Sequence, residues 1–88
     1  RGIAECIAGL ASLRAKHGNS QVATKMLGAA EALLGESGGA WWPADRVEVE
    51  KTRALLQAAL EEHEFKAAWA AGQGMTLEQA IAFVSHED

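Results

Sequence analysis

The chain has 88 residues, 49% of them hydrophobic and 23% charged, with a single Cys and a formal net charge of −4. That length sets one small domain with a limited core. The acidic balance excludes broad attraction to nucleic acid or an anionic membrane, and a lone Cys excludes an internal disulfide framework and fits a reducing, cytoplasmic compartment. No apolar run is long enough to span a bilayer and no signal peptide is visible. The chain begins at Arg1 rather than Met, so it reads as a piece of a longer protein.

The first predicted helix covers roughly 2–17, with Ile3, Ile7 and Leu10 at helical spacing and a stripe of Ala4, Ala8, Ala11 and Ala15 beside them. Gly18 is a natural helix stop, and Asn19-Ser20 caps the next helix. That second helix covers roughly 20–35, with Val22, Ala23, Met26, Leu27, Ala30, Leu33 and Leu34 on its buried side. In an antiparallel hairpin turning near Asn19, residues whose numbers sum to about 38 lie at the same height. Ala15 then meets Ala23, Ala11 meets Leu27, Ala8 meets Ala30 and Ala4 meets Leu34. Small-small and small-large pairs of this kind let two helices approach closely.

Gly35-Glu36-Ser37-Gly38-Gly39-Ala40 reads as a loop. Pro43 suits a helical first turn, where its missing N–H costs nothing, and Asp45 and Glu48 favour the positive end of the dipole. The third helix is predicted at roughly 43–61, with Val49, Thr52, Leu56, Ala59 and Leu60 inward. A short fourth helix, roughly 62–72, carries Phe65, Ala68 and Trp69 and ends at Gly72 and Gly74. Thr76-x-x-Gln79 is a capping box. It opens a fifth helix over roughly 77–85, with Leu77, Ala80, Ile81 and Val84 on one face. Phe65 and Trp69 are expected to share a core with Leu56, Leu60, Leu77 and Ile81. No stretch alternates apolar and polar residues long enough to argue a strand. The expected fold is all-α, a tetratricopeptide-like antiparallel hairpin followed by three further helices, five in a small right-handed repeat-like bundle.

The hairpin resembles the tetratricopeptide pattern, Ile7-x-x-Leu10-Ala11-x-x-Arg14 standing for W-x-x-L-G-x-x-Y and Ala23-x-x-x-Leu27 for A-x-x-x-F. Leu10 and Ala23 are identical to it; Ile7, Ala11, Arg14 and Leu27 replace the Trp, Gly, Tyr and Phe, and Gly35 takes the place of the closing Pro. A second resemblance spans nearly the whole chain. It is carried by Glu5-Cys6-Ile7-Ala8-Gly9-Leu10-Ala11, Met26-Leu27-Gly28-Ala29-Ala30-Glu31-Ala32-Leu33, Pro43-Ala44-Asp45-Arg46, Phe65-Lys66-Ala67-Ala68-Trp69-Ala70-Ala71-Gly72 and Met75-Thr76-Leu77-Glu78-Gln79-Ala80, in that order. In these segments the chain resembles the carboxy-terminal tail of the helical-repeat region in large bacterial signalling ATPases. Those are the STAND class, with LuxR/MalT-type and SARP-type transcriptional activators and cyclase- or kinase-linked relatives. The resemblance implies an upstream NTPase module and an output domain elsewhere in the same polypeptide.

Candidate chemistry is sparse. His63-Glu64 begins like the zinc motif H-E-x-x-H, but Ala67 stands where the second His would be, so no chelate forms. His17, His63 and His86 have no ligand spacing among them. Cys6 has no identifiable partner His and reads as a buried small hydrophobe. Glu61, Glu62 and Glu64 could do acid/base work, but Glu62 and Lys66 at i, i+4 read as a solvated ion-pair face. The Gly-rich stretches at 35–39 and 72–74 lack the Lys-Ser/Thr of a phosphate loop and read as loops. A helix-turn-helix is conceivable over the first two helices, although the would-be recognition helix carries one basic residue, Lys25.

Trp41-Trp42 is the least ordinary local feature. At least one is expected to plug the gap between the hairpin and the third helix; the alternative is a partner-binding anchor, where Trp is enriched. The expectation is therefore a non-catalytic interaction or scaffold segment with no metal and no cofactor. Its candidate surface is Ile3, Cys6, Ile7, Leu13, Trp41 and Trp42. Its partners would be proteins, either upstream repeats of the same chain or a second copy through the first helix, with no nucleic-acid or membrane contact. The rivals are a small ligand-binding or enzymatic bundle using Cys6, His63 and the acidic cluster, and a helix-turn-helix domain.

Overall fold

The structure, a computed structural model, describes residues 3–36, 38, 39 and 41–86. Five helices and no strand are present among them: α1 (Ile3–Lys16), α2 (Ser20–Glu36), α3 (Pro43–Ala59), α4 (Glu62–Gln73) and α5 (Leu77–His86). Local chemistry sets the boundaries. Gly18 adopts φ +84°, the left-handed conformation that a Cβ disfavours. The Asn19 N–H donates to the Arg14 carbonyl at 3.0 Å and the Gly18 N–H to the Ala15 carbonyl at 3.2 Å. These are the paired bonds that close a helix C-terminus. At α5, the Gln79 N–H donates to Thr76 Oγ1 at 3.1 Å and the Thr76 N–H to Gln79 Oε1 at 3.0 Å, the reciprocal capping box read from the residues. At α4, the Glu61 N–H donates to Glu64 Oε1 at 3.2 Å, so one member of the acidic cluster helps cap its own helix.

Helices α1 and α2 pack on each other as a hairpin, and of the residues expected to meet across it all are buried except Leu34, which is half-buried. Ala4, Ala8, Ala11 and Ala15 are all buried on α1, facing Ala23, Leu27 and Ala30, which are fully buried on α2. The register also draws in Ile7, which is only 3% exposed.

Helix α2 is enclosed well beyond its predicted face. Met26, Leu27, Gly28, Ala29 and Ala30 are consecutive and all buried, which one amphipathic face cannot produce. Thr24 is buried too, its hydroxyl donating to the Ser20 carbonyl at 2.8 Å. Val22, Leu33 and Leu34 are only half-buried. The enclosure comes from α4, which packs along α2 as closely as α1 does. Its Gly72 lies against the backbone of Lys25 and Ala29, and Gly28 lies against the Trp69 carbonyl. The start of α4 lies beside the start of α2, with His63, Glu64, Ala67 and Ala68 next to Gln21 and Lys25, so the two helices run in the same general direction. Gly72 is therefore not the stop that its type predicts. The helix runs through it to Gln73, and the missing side chain is what lets two backbones meet.

This docking corrects the expected second core. On α3, Val49, Thr52 and Leu56 are buried, but Ala59 is exposed and Leu60 half-buried. The chain leaves the helix at Leu60, whose backbone is extended, so the last turn overhangs the core. On α5, Ala80 is buried and Phe83 and Val84 pack partly on the core, whereas Leu77 and Ile81 are 43% and 45% exposed. Helix α5 meets the rest of the fold chiefly along α2, where the Lys25 ammonium sits over the Phe83 ring at 5.8 Å, so only one narrow face is covered. Leu77 and Ile81 do not join Phe65 and Trp69.

Candidate functional site

The candidate surface divides into three places. On α1, Ile3 and Leu13 are each 46% exposed and Cys6, expected to be buried, is exposed because its position falls off the Ala stripe, with Leu10 half-buried between them. Positions 3, 6, 10 and 13 follow 3-4-3 spacing, so they form one apolar strip along the helix. Ile7 does not belong to it: one turn of helix from Ile3 rotates it onto the Ala stripe that faces α2, and its burial corrects its place in the expected surface.

The two tryptophans separate. Trp41 is half-buried against the core, and its indole N–H donates to Glu31 Oε1 on α2 at 2.7 Å. It is a plug, with its polar edge satisfied by a carboxylate. Trp42 is the N-cap residue of α3 and is 66% exposed. Its own backbone carbonyl accepts from the Arg46 N–H at 2.8 Å.

The third place was not foreseen from the residues. Helices α3 and α4 both rest on α2 but touch each other little, which leaves a groove between them. One stretch of it, about 360 Å³, is lined by Arg53 and Gln57 of α3 and by Glu62, Phe65, Lys66 and Trp69 of α4. Its floor is aromatic: the Phe65 and Trp69 rings stack with centroids 5.6 Å apart and planes at 21°. The Arg53 guanidinium lies 4.6 Å from the Trp69 ring centroid. A separate hollow, about 390 Å³, lies on the other side of Arg53, between α3 and the end of α2; Arg46, Val49, Glu50 and Arg53 line it with Glu31, Leu34 and Trp41. Residues 46, 50, 53 and 57 lie on one stripe of α3 by helical spacing. That stripe was the only signal in the sequence, and polar residues at such spacing read as a solvated face.

The residues of the rival readings are dispersed. His63 lines a shallow groove of about 290 Å³ with Gln21, Lys25, Glu64, Ala67 and Ala68, and Cys6 is not part of that lining. The Glu61 carboxylate stands 3.4 Å from His63 Nδ1 at the surface, and Lys66 pairs with Glu62 at 3.1 Å. Among the described residues no three His, Cys, Asp or Glu side chains converge as a metal-binding group. The would-be recognition helix, α2, is enclosed by its neighbours, and Lys25 is half-buried. No helix among the described residues is long and apolar enough to cross a membrane.

The fold and these surfaces define an all-helical bundle organised around one central helix. No family model matches the chain, and neither a curated protein nor a solved structure matches it.

Proposed function

We propose that this chain is a non-catalytic protein-interaction segment that caps the helical-repeat region of a bacterial, cytoplasmic signal-transduction or transcription regulator of the signalling-ATPase type. One observation carries the reading: α1 buries its Ala stripe and Ile7 but leaves Ile3, Cys6 and Leu13 uncovered as a continuous apolar strip. In a stacked repeat each helix pair buries one face against its own partner and another against the neighbouring pair. Helix α2 has neighbours on its flanks, whereas among the described residues the strip on α1 stays exposed, and this is the surface an upstream repeat would cover. Segment-by-segment resemblance to the tails of such regulators supports the same assignment. The partner class is protein, either those upstream repeats or a second copy of this chain, and the acidic charge supplies no drive toward nucleic acid.

An uncovered apolar strip tends to recruit a partner, and a symmetric dimer is the commonest solution. The isolated chain is therefore expected to self-associate in sedimentation velocity, its mean coefficient rising with concentration. An Ile3→Glu/Leu13→Glu variant is expected to sediment as a monomer while keeping its helical circular dichroism. Both positions are exposed, so the change leaves the core intact. A parent chain that stays monomeric at every concentration would overturn the reading, as would association that persists in the variant.

A further inference from the structure

The groove between α3 and α4 lies away from the α1 strip and has its own chemistry. Charges in it and in the hollow across Arg53 are mostly satisfied locally. Lys66 pairs with Glu62 at 3.1 Å, Arg46 with Glu50 at 3.4 Å, and Glu31 accepts from Trp41 at 2.7 Å. Arg53 stands apart. Among the described residues it has no carboxylate partner, and its guanidinium rests on the Trp69 ring. A cation–π contact uses no N–H···O bond, so the guanidinium's donors stay available for a planar anion. Arg53 lines both this groove and the hollow between α3 and the end of α2, so the unpaired cation stands between the two. The Phe65–Trp69 stack lies on one side of it, and Trp41 with Leu34 on the other.

We propose that this groove, with the hollow across Arg53, binds an extended peptide segment in which a carboxylate side chain is flanked by bulky apolar residues. The carboxylate forks onto Arg53, one apolar neighbour lies on Phe65–Trp69, and the other turns toward Trp41 and Leu34. Length argues for a peptide over a compact ligand. The stripe from Arg46 to Gln57 spans about 16 Å at ~1.5 Å per helical residue, which an extended chain covers in about five residues at ~3.3 Å each. Charge argues for acid over base, because the one cation left unmatched in the groove is Arg53. A guanidinium held on a ring also loses little freedom when it binds, which favours recognition there.

The probe is acetyl-Ser-Leu-Glu-Phe-Ser-amide, titrated into the full chain with affinity read by calorimetry and location by ¹⁵N–¹H spectra. Saturable binding is expected, with shifts concentrated on the Arg53 and Trp69 side-chain N–H signals. Replacing Glu by Gln in the peptide, or Arg53→Gln in the protein, is expected to weaken binding about tenfold or more, the size of a charged hydrogen bond. The two changes together are expected to cost little more than either alone. Arg53→Lys keeps the charge but not the fork and is expected to restore binding only in part, while Lys51→Gln on the same helix leaves affinity unchanged. Arg53 is exposed, so its variants retain the fold, and circular dichroism checks this. The proposal is overturned if the Glu peptide does not saturate, if the Gln peptide binds as tightly, or if shifts fall outside the groove. Equal affinity for 3-phenylpropionate would assign the groove to small carboxylic acids and overturn the peptide. Because the groove excludes Ile3 and Leu13, the Ile3→Glu/Leu13→Glu variant is expected to bind the peptide normally whatever its oligomeric state.

Discussion

Gly72→Ala isolates the contact that organises the fold. A Cβ at this position would stand 2.1 Å from the Lys25 carbonyl oxygen and 2.9 Å from both the Lys25 carbonyl carbon and the Ala29 nitrogen. Ordinary van der Waals contact begins at 3.4 Å, so the first of these falls short by about 1.3 Å. The obstructing atoms are backbone on a buried helix and have no rotamer to give. Relief therefore requires α4 to move off α2 by about an ångström, and a gap of 0.5–1 Å already forfeits roughly a quarter to a half of each dispersion contact along the seam. Overpacking of this kind costs about 1–3 kcal/mol, and more where the neighbours are rigid. The better helix propensity of Ala returns up to ~1 kcal/mol. Because the obstructing atoms are rigid backbone the cost lies at the upper end, about 3 kcal/mol, and the expected net loss is about 2–3 kcal/mol, against a total stability of roughly 4–13 kcal/mol for a domain of this length. A thermal melt followed by circular dichroism is expected to shift down by about 10–25 °C. Gly9→Ala is the matched control, since it lies inside α1 with no heavy atom within 4 Å of the added Cβ. It is expected to gain about 0.5–1 kcal/mol from helix propensity. If Gly72→Ala melts at or above the parent while Gly9→Ala behaves as expected, the close α2–α4 approach is wrong.

Two further perturbations test other joints. Ala11→Leu places a large side chain where α1 meets the fully buried Leu27, and is expected to cost about 1–3 kcal/mol in a urea titration; unchanged stability would refute the hairpin register. Trp41→Phe keeps the plug but leaves the Glu31 carboxylate without its 2.7 Å donor. It is expected to cost about 1.5–3 kcal/mol, and Glu31→Gln in the same background should add little if the two act as one bond.

How much was legible from residues depended on how local the deciding interaction was. The helix boundaries were read to within a residue or two because each is set by atoms a few positions apart: Gly18 at the end of α1, Pro43 at the start of α3, Thr76 with Gln79 at the start of α5. The α1/α2 hairpin was legible for a related reason, since a three-residue turn leaves two adjoining helices one way to pair their small stripes. The plug role of Trp41 followed from its place between them, although its Glu31 partner did not.

Amino-acid order alone thus determined the helical class, the element boundaries and the first pair of helices, because capping and a short turn act over a few residues. Only the tertiary structure decided where α4 and α5 dock. A Gly within a helical run reads as a stop or as a close contact with equal ease, and the choice at Gly72 depends on a backbone more than forty residues away. That docking decided in turn that Leu77 and Ile81 face outward and that α3 and α4 stand apart over α2. The Arg53–Trp69 groove exists because of that separation, and the polar stripe at 46, 50, 53 and 57 on α3 reads by itself only as a solvated face.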